Sequence, residues 1–190
     1  MPTITIYAGV NGAGKTSLYN KTKNKTKRRI NLDEIICEIK ANNNSNDSIV
    51  KAGKIALNLI KDYLKSKLSF NWETTLITPT HLKIMQEAKR LGYKINLIFI
   101  SVNDLNIAQE RINQRVLAGG HNVPQNLVEY RFNHQFDKIK DCLNLVDTAI
   151  FFDNSNNLKI VAIYKNKHFE KIDNNIYWIN NFLSFLNKEN

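Results

Sequence analysis

The chain has 190 residues, a formal net charge of +10, 43% hydrophobic and 23% charged residues, and two cysteines. That length suits one domain, residues 1–190, with a well-buried core, and no apolar run is long enough to cross a bilayer. The opening residues lack the basic, apolar and cleavage regions of a secretory signal, and Cys37 and Cys142 show neither disulfide-framework nor zinc-ligand spacing, so a reducing cytoplasm is expected.

The first element is a β-prone run, Thr3 to Ala8, followed at once by Gly9-Val10-Asn11-Gly12-Ala13-Gly14-Lys15-Thr16 and Ser17. This is G-x-x-x-x-G-K-[ST] in its strand–loop–helix setting. Glycines allow backbone N–H groups to turn inward around a polyphosphate, and the helix that follows presents its positive end. Lys15 is placed to reach the β and γ phosphates and Thr16 to hold Mg²⁺, so a nucleoside triphosphate, ATP or GTP, is the expected ligand. Gly9, Asn11, Gly12, Ala13, Gly14, Lys15, Thr16 and Ser17 form the expected nucleotide site.

A helix from Lys15 to Lys21 leads into the basic segment Lys21 to Arg29, which reads as a solvated connection. The short strand Arg29–Leu32 then ends at Asp33. After an Asn-rich loop, Ile49, Ala52, Ala56, Leu59, Ile60, Tyr63 and Leu64 recur at helical spacing and predict a core-facing stripe. A strand ends near Glu73, and Thr78-Pro79 opens a helix through Lys89 that Gly92 terminates. Tyr93 to Val102 is a nearly unbroken apolar run, expected at the centre of a parallel sheet and buried on both faces.

Helices are predicted from Asp104 to Leu117 and from Pro124 to Leu143, with Gly119-Gly120-His121-Asn122-Val123 between them. A strand from Asp147 to Phe152, a hairpin about Lys165-Asn166-Lys167 and a helix from Asn174 to Leu186 complete the chain. Tyr177, Trp178, Phe182 and Phe185 predict a buried face on that last helix. The alternation defines an α/β fold: a three-layer α/β/α phosphate-loop NTPase architecture with a mainly parallel sheet, plus a C-terminal hairpin and helix. Ligands in such sheets gather at the carboxyl ends of the strands, which brings the loop, Asp33 and Glu73 together.

Phosphoryl transfer needs a phosphate cradle, cations for the equatorial oxygens and a group that handles the acceptor hydroxyl. Asp33 is the candidate base, against the alternative of an acid favoured in a first helical turn. Glu73 is a candidate for the metal's surroundings or the acceptor, against that of a surface acid ending a strand. No aspartate follows Ile100-Ser101, where many motor-type ATPases carry a second acid. Arg111 and Arg115, four apart on one helix face, and Arg131 are candidate lid cations, the alternatives being solvated positions or ion pairs with Glu110 or Glu129. Gly119-Gly120 reads equally well as a helix cap.

These pieces together resemble the zeta toxin and UDP-N-acetylglucosamine kinase group. The resemblance rests on the phosphate loop, Asn31-Leu32-Asp33-Glu34-Ile35, Phe70 to Leu76, Gly92-Tyr93, the run Arg115 to Pro124 containing Gly-Gly-His-x-Val-Pro, and Asp153-Asn154-Ser155. It implies transfer of the γ-phosphoryl group of ATP or GTP to a hydroxyl of a UDP-activated amino sugar, with a small antitoxin protein as partner. It further implies Asp33 as base, Lys15, Arg115 and Arg131 in catalysis, and Glu73 and Thr74 at the acceptor; Arg111, by its spacing from Arg115, is expected at the nucleotide, and His121, within the Gly-Gly-His element, at the acceptor. The chain departs from the group at Tyr130-Arg131-Phe132-Asn133-His134-Gln135, where relatives carry more arginines. Two other readings stay open: a kinase acting on a nucleic-acid end or another small molecule, suggested by the positive charge, and a nucleotide-dependent regulatory module without turnover.

Overall fold

The computed structural model describes residues 1–22, 26–42 and 48–187, with no account of the Asn42 side chain. Residues 43–47 of the Asn-rich loop and 23–25 of the basic connection therefore lie outside the described residues.

Strand β1 (Thr3–Ala8) runs through the phosphate loop into α1 (Lys15–Lys21). Then come β2 (Arg29–Asn31), α2 (Leu32–Asn42), α3 (Ser48–Lys65), β3 (Phe70–Thr74), α4 (Pro79–Arg90), β4 (Lys94–Ser101) and α5 (Leu105–Leu117). The chain continues through α6 (Gln125–Asn133), α7 (Gln135–Leu143), β5 (Thr148–Asp153), β6 (Lys159–Lys165), β7 (His168–Lys171) and α8 (Tyr177–Asn187). The sheet order is β2-β3-β1-β4-β5-β6-β7, parallel as far as β5 and antiparallel beyond it. From β1 the chain goes first to one side, to β2 and β3, and then crosses to β4 on the other. That reversal opens a crevice at the carboxyl end of β1, where the phosphate loop lies.

Two apolar clusters sandwich the sheet. Ile4, Ile6, Ile95, Leu97, Phe99 and Phe151 point toward α3, α4, α7 and α8, while Tyr7, Ile100 and Val102 point toward α1, α5 and α6. The second layer covers only the carboxyl half of the sheet. As a result β4, although central, is buried on both faces only over its last residues; Lys94, Asn96 and Ile98 are half-exposed. The predicted helix from Pro124 to Leu143 is in fact two helices, broken at His134, whose backbone leaves the helical region at φ −105°. Gln135, just past the break, is buried and accepts the Ser101 hydroxyl at 3.1 Å.

Of the predicted α3 stripe, Ala52, Ile60 and Leu64 are buried, but Ile49 is 54% exposed. Tyr177 departs in the same way, at 68% exposed, whereas Trp178 and Phe182 are buried. The hairpin turns at Asn166 and Lys167, both left-handed (φ 54° and 62°), the conformation a tight two-residue turn requires.

Candidate active site

A cavity of about 920 Å³ opens at the carboxyl ends of β1, β2 and β3. Its floor is the phosphate loop. Gly12 has φ +80°, and a Cβ there would lie 2.3 Å from the carbonyl oxygen of Ala108, so α5 packs against the loop only because the side chain is missing. Gly14 has φ +101° and caps α1, and its absent Cβ leaves room for Asn154. The Asn154 amide donates to the carbonyl of Ala13 at 2.8 Å, fixing the loop to the end of β5. Lys15 is buried, and its Nζ donates to the carbonyl of Val10 at 3.0 Å. Burial pushes its ammonium pKa down, opposed by the nearby Glu73 and Asp33.

The acids come from the neighbouring strand ends. Asn31, at the end of β2, accepts the backbone N–H of Asp33 at 2.9 Å and donates to Glu73 Oε2 at 3.1 Å. Asp33 thus stands in the first turn of α2 and within the cavity wall at once, so its two sequence readings describe one position. Glu73 accepts the Thr16 hydroxyl on Oε1 at 2.7 Å and an Arg29 guanidinium N–H on Oε2 at 2.5 Å. It is a largely buried acid bonded to the loop, not a surface one.

Arg29 corrects the reading of the basic segment as wholly solvated. Its guanidinium lies 3.9 Å from the centre of the Tyr19 ring and pairs with Glu34 as well as Glu73. A lysine-rich run concealed it; the acids ending β3 and opening α2 were the available signal.

The three candidate lid arginines line the cavity, and none of their hydrogen bonds goes to Glu110 or Glu129. Arg111 donates to the Ser155 carbonyl, and Arg131 to Asn11 Oδ1 at 2.5 Å. Arg115 donates to Asp33 Oδ2 at 3.3 Å and to the His121 carbonyl at 2.7 Å. Gly119 (φ +84°) and Gly120 end α5, their N–H groups donating to the carbonyls of Val116 and Arg115. The cap reading of the two glycines therefore holds, and the turn it makes delivers the carbonyl that steers Arg115. His121 reaches the cavity wall too, but its hydrogen bond to Arg115 is made by its backbone.

Arg111 Nη1, Arg115 Nε and Arg131 Nε are buried without a hydrogen-bond partner among the described residues. The guanidinium groups of these three residues line the cavity beside the loop, where charge-assisted hydrogen bonds to polyphosphate oxygens are strong. The loop, Lys15 and these donors accordingly fit a nucleoside triphosphate. The Thr16–Glu73 pair fits Mg²⁺ shared with phosphate oxygens, a metal that takes few protein ligands. Among the described residues no cluster of three or more His, Cys, Asp or Glu forms a metal cage.

Thr74 and His81 form a second polar unit. The backbone N–H and hydroxyl of Thr78 lie 3.2 and 3.1 Å from His81 Nδ1, which makes that nitrogen the acceptor and leaves Nε2–H to donate to the Thr74 hydroxyl at 3.0 Å. The Leu76 N–H also donates to Thr74 Oγ1. With its oxygen receiving two donors, the Thr74 hydroxyl is left to donate toward the cavity. Burial, reinforced by Arg131, holds the His81 pKa down at about 4. Neither His81 nor its neighbour Trp72 carries a recognisable sequence signal.

The parallel sheet, its switch-point crevice and the phosphate loop together define a nucleotide-binding α/β protein of the phosphate-loop kinase type. The family model described as Zeta toxin matches residues 1–169, and the chain belongs to that family. An uncharacterised protein of Haemophilus influenzae is 32% identical over 126 residues, which are 66% of this chain and 89% of that protein. The crystal structure of AvrRxo1-ORF1:-ORF2 with ATP superimposes with a TM-score of 0.70 at 16% identity, over 90% of this chain. The chain spans 60% of that neighbour's length. The PezAT chromosomal toxin–antitoxin system of Streptococcus pneumoniae gives a TM-score of 0.63 at 19% identity, covering 86% of this chain and 72% of that one. At such identities these structures show a shared fold.

Proposed function

We propose that the protein is a kinase that transfers the γ-phosphoryl group of ATP or GTP to a hydroxyl of a small acceptor, with Asp33 as the base. The observation that carries this reading is a single cavity lined by Arg111, Arg115 and Arg131, by Asp33 and by the loop that holds Lys15. Lys15 and the arginines bind the triphosphate and neutralise charge that builds on the transferred group. Asp33, held by the Asn31 side chain through its backbone and by Arg115 through its carboxylate, takes the acceptor proton. Thr74 and His121 contribute to the acceptor wall. Thr16 and Glu73 would hold Mg²⁺, which screens the phosphate charges.

The acceptor implied by the family resemblance is a UDP-activated amino sugar, and the compartment this reading requires is the cytoplasm. Solved neighbours include a toxin–antitoxin system, which supports a small antitoxin protein as partner. Incubation with Mg-ATP and a panel of UDP-sugars and simpler glycosides, followed by mass measurement, tests the reading. A gain of one phosphate on any acceptor supports it; nucleotide binding without a product on any acceptor favours the regulatory module instead.

A further inference from the structure

Thr74 closes β3, and in the ladder it pairs with Ala8, the residue before the phosphate loop. It lines the cavity, so a ligand atom held by its hydroxyl lies beside the loop that takes the triphosphate. Two features fix that hydroxyl. Leu76 is left-handed at φ 55°, an unfavourable conformation for a bulky side chain, and is held in it by burial in the core. The turn so formed brings the Leu76 N–H to within 3.2 Å of Thr74 Oγ1. The other feature is His81, in the first turn of α4, whose Nε2 lies 3.0 Å from the same oxygen.

Helix capping explains only half of His81. Its Nδ1 receives the backbone N–H of Thr78, the reciprocal contact of a capping box, and any acceptor at that distance from the backbone would serve. Nε2, on the far side of the ring, takes no part in the cap. With Nδ1 accepting, Nε2 carries the proton and donates it to Thr74. Burial keeps the imidazole uncharged at neutral pH, the form that this pattern requires. Two donors then occupy both lone pairs of Thr74 Oγ1, which leaves the hydroxyl only its own proton to offer a ligand.

We infer that His81 is a positioning residue for the molecule bound beside the triphosphate: through its Nε2–H bond to Thr74 it fixes that hydroxyl as a donor, able to meet only a lone pair on a carbonyl, ether or hydroxyl oxygen. The inference rests on the kinase reading above, in which that molecule is the acceptor, and adds how the acceptor is oriented. An N–H group facing Thr74 is rejected, because donor would meet donor.

The test uses two variants that separate the two ring nitrogens. In His81→Asn the carboxamide oxygen takes the place of Nδ1 and keeps the Thr78 contact, but nothing reaches Thr74. In His81→Gln the amide nitrogen takes the place of Nε2 and keeps the bond to Thr74. Calorimetric titration of the full chain, with Mg²⁺ and a non-hydrolysable ATP analogue present, uses UDP-N-acetylglucosamine as the probe. His81→Asn should weaken probe binding by about fivefold and leave affinity for the ATP analogue within about twofold, whereas His81→Gln should bind the probe within about twofold of the wild type. In a Thr74→Val background His81→Asn should have no further effect, since the hydroxyl it steers is gone. Nitrogen NMR of isotope-labelled histidine should show His81 in its Nε2–H form.

Weaker probe binding in His81→Gln than in His81→Asn, the mark of a cap alone, would overturn the inference. So would additive losses with Thr74→Val, an Nδ1–H tautomer, or a wild-type chain that does not bind the probe. Binding in the expected order without phosphate transfer to any acceptor leaves the inference standing and removes the kinase reading. Phosphate transfer that is indifferent to His81→Asn does the reverse.

Discussion

The hydroxyl of Thr16 donates a 2.7 Å hydrogen bond to Oε1 of Glu73, joining residues 57 apart in sequence across the mouth of the phosphate loop. Through its other oxygen the same carboxylate holds Arg29 and Asn31, and Asn31 in turn holds the backbone of Asp33. The Thr16 hydroxyl of the loop and the backbone of the proposed base are therefore positioned by one acid. Replacing Glu73 with alanine removes one of the two acids that hold Arg29, whose side chain is only 12% exposed, and leaves Glu34 as the other, so the lost charge-assisted bond should cost about 1.5–3 kcal/mol. Urea denaturation should show a loss of that order, and nucleotide titrations should need more Mg²⁺ for half-saturation.

Asp33→Asn removes the proposed proton acceptor while keeping the side chain's shape. Proton transfer by a positioned group contributes about a hundredfold to ten-thousandfold, so turnover should fall by that range. Affinity for ATP should stay within about twofold, because what asparagine loses is the ion pair to Arg115 at the edge of the nucleotide site. Single-turnover kinetics beside equilibrium binding separates the two effects, and wild-type turnover in this variant would exclude Asp33 as the base.

Gly12→Ala forces a methyl group to within 2.3 Å of the Ala108 carbonyl oxygen in a left-handed conformation. Loop and α5 cannot both stay in place. Nucleotide affinity should drop by more than about tenfold, while far-ultraviolet circular dichroism keeps the wild-type shape because the change is confined to the loop's contact with α5. Wild-type affinity in this variant would show that the loop tolerates movement away from α5.

The pH response of His81 follows from its partners. Its folded pKa of about 4 lies below the ordinary histidine value of 6.5, so between these values the unfolded chain binds a proton that the folded chain does not. Stability from this group is complete above pH 6.5 and is lost as pH falls toward 4, by up to about 3 kcal/mol. His81→Gln should flatten that acid limb of the stability profile measured by denaturant titration. An unchanged limb would show that His81 does not set it.

The sequence made the nucleotide half of the site readable because its chemistry demands fixed spacing. Gly9 to Thr16 is contiguous, and the backbone that cradles phosphate is encoded by glycines. Asp33 and Glu73 could be placed because they end strands, and strand ends in such sheets share one rim. The remainder depended on long-range packing. Arg29 looked like one more member of a basic run until β3 supplied its partner, and Ile49 matched a core stripe until α3 was seen to turn it toward a cavity. The break at His134 was hidden for a related reason: helical periodicity runs through it, and the buried Gln135–Ser101 bond is visible only once α7 packs on the sheet. The half-exposed face of β4 reflects helices that cover part of a sheet, a matter of element length that hydrophobicity alone does not reveal.

The indole of Trp178 donates to Asp153 Oδ1 at 2.9 Å, and the neighbouring Asn154 donates to the carbonyl of Ala13 in the phosphate loop. Trp178 lies past residue 169, where the match to the family ends. The last helix thus braces the end of β5, from which Asn154 holds the phosphate loop. A substitution at Trp178 would therefore be felt at the phosphate loop, far from where it was made.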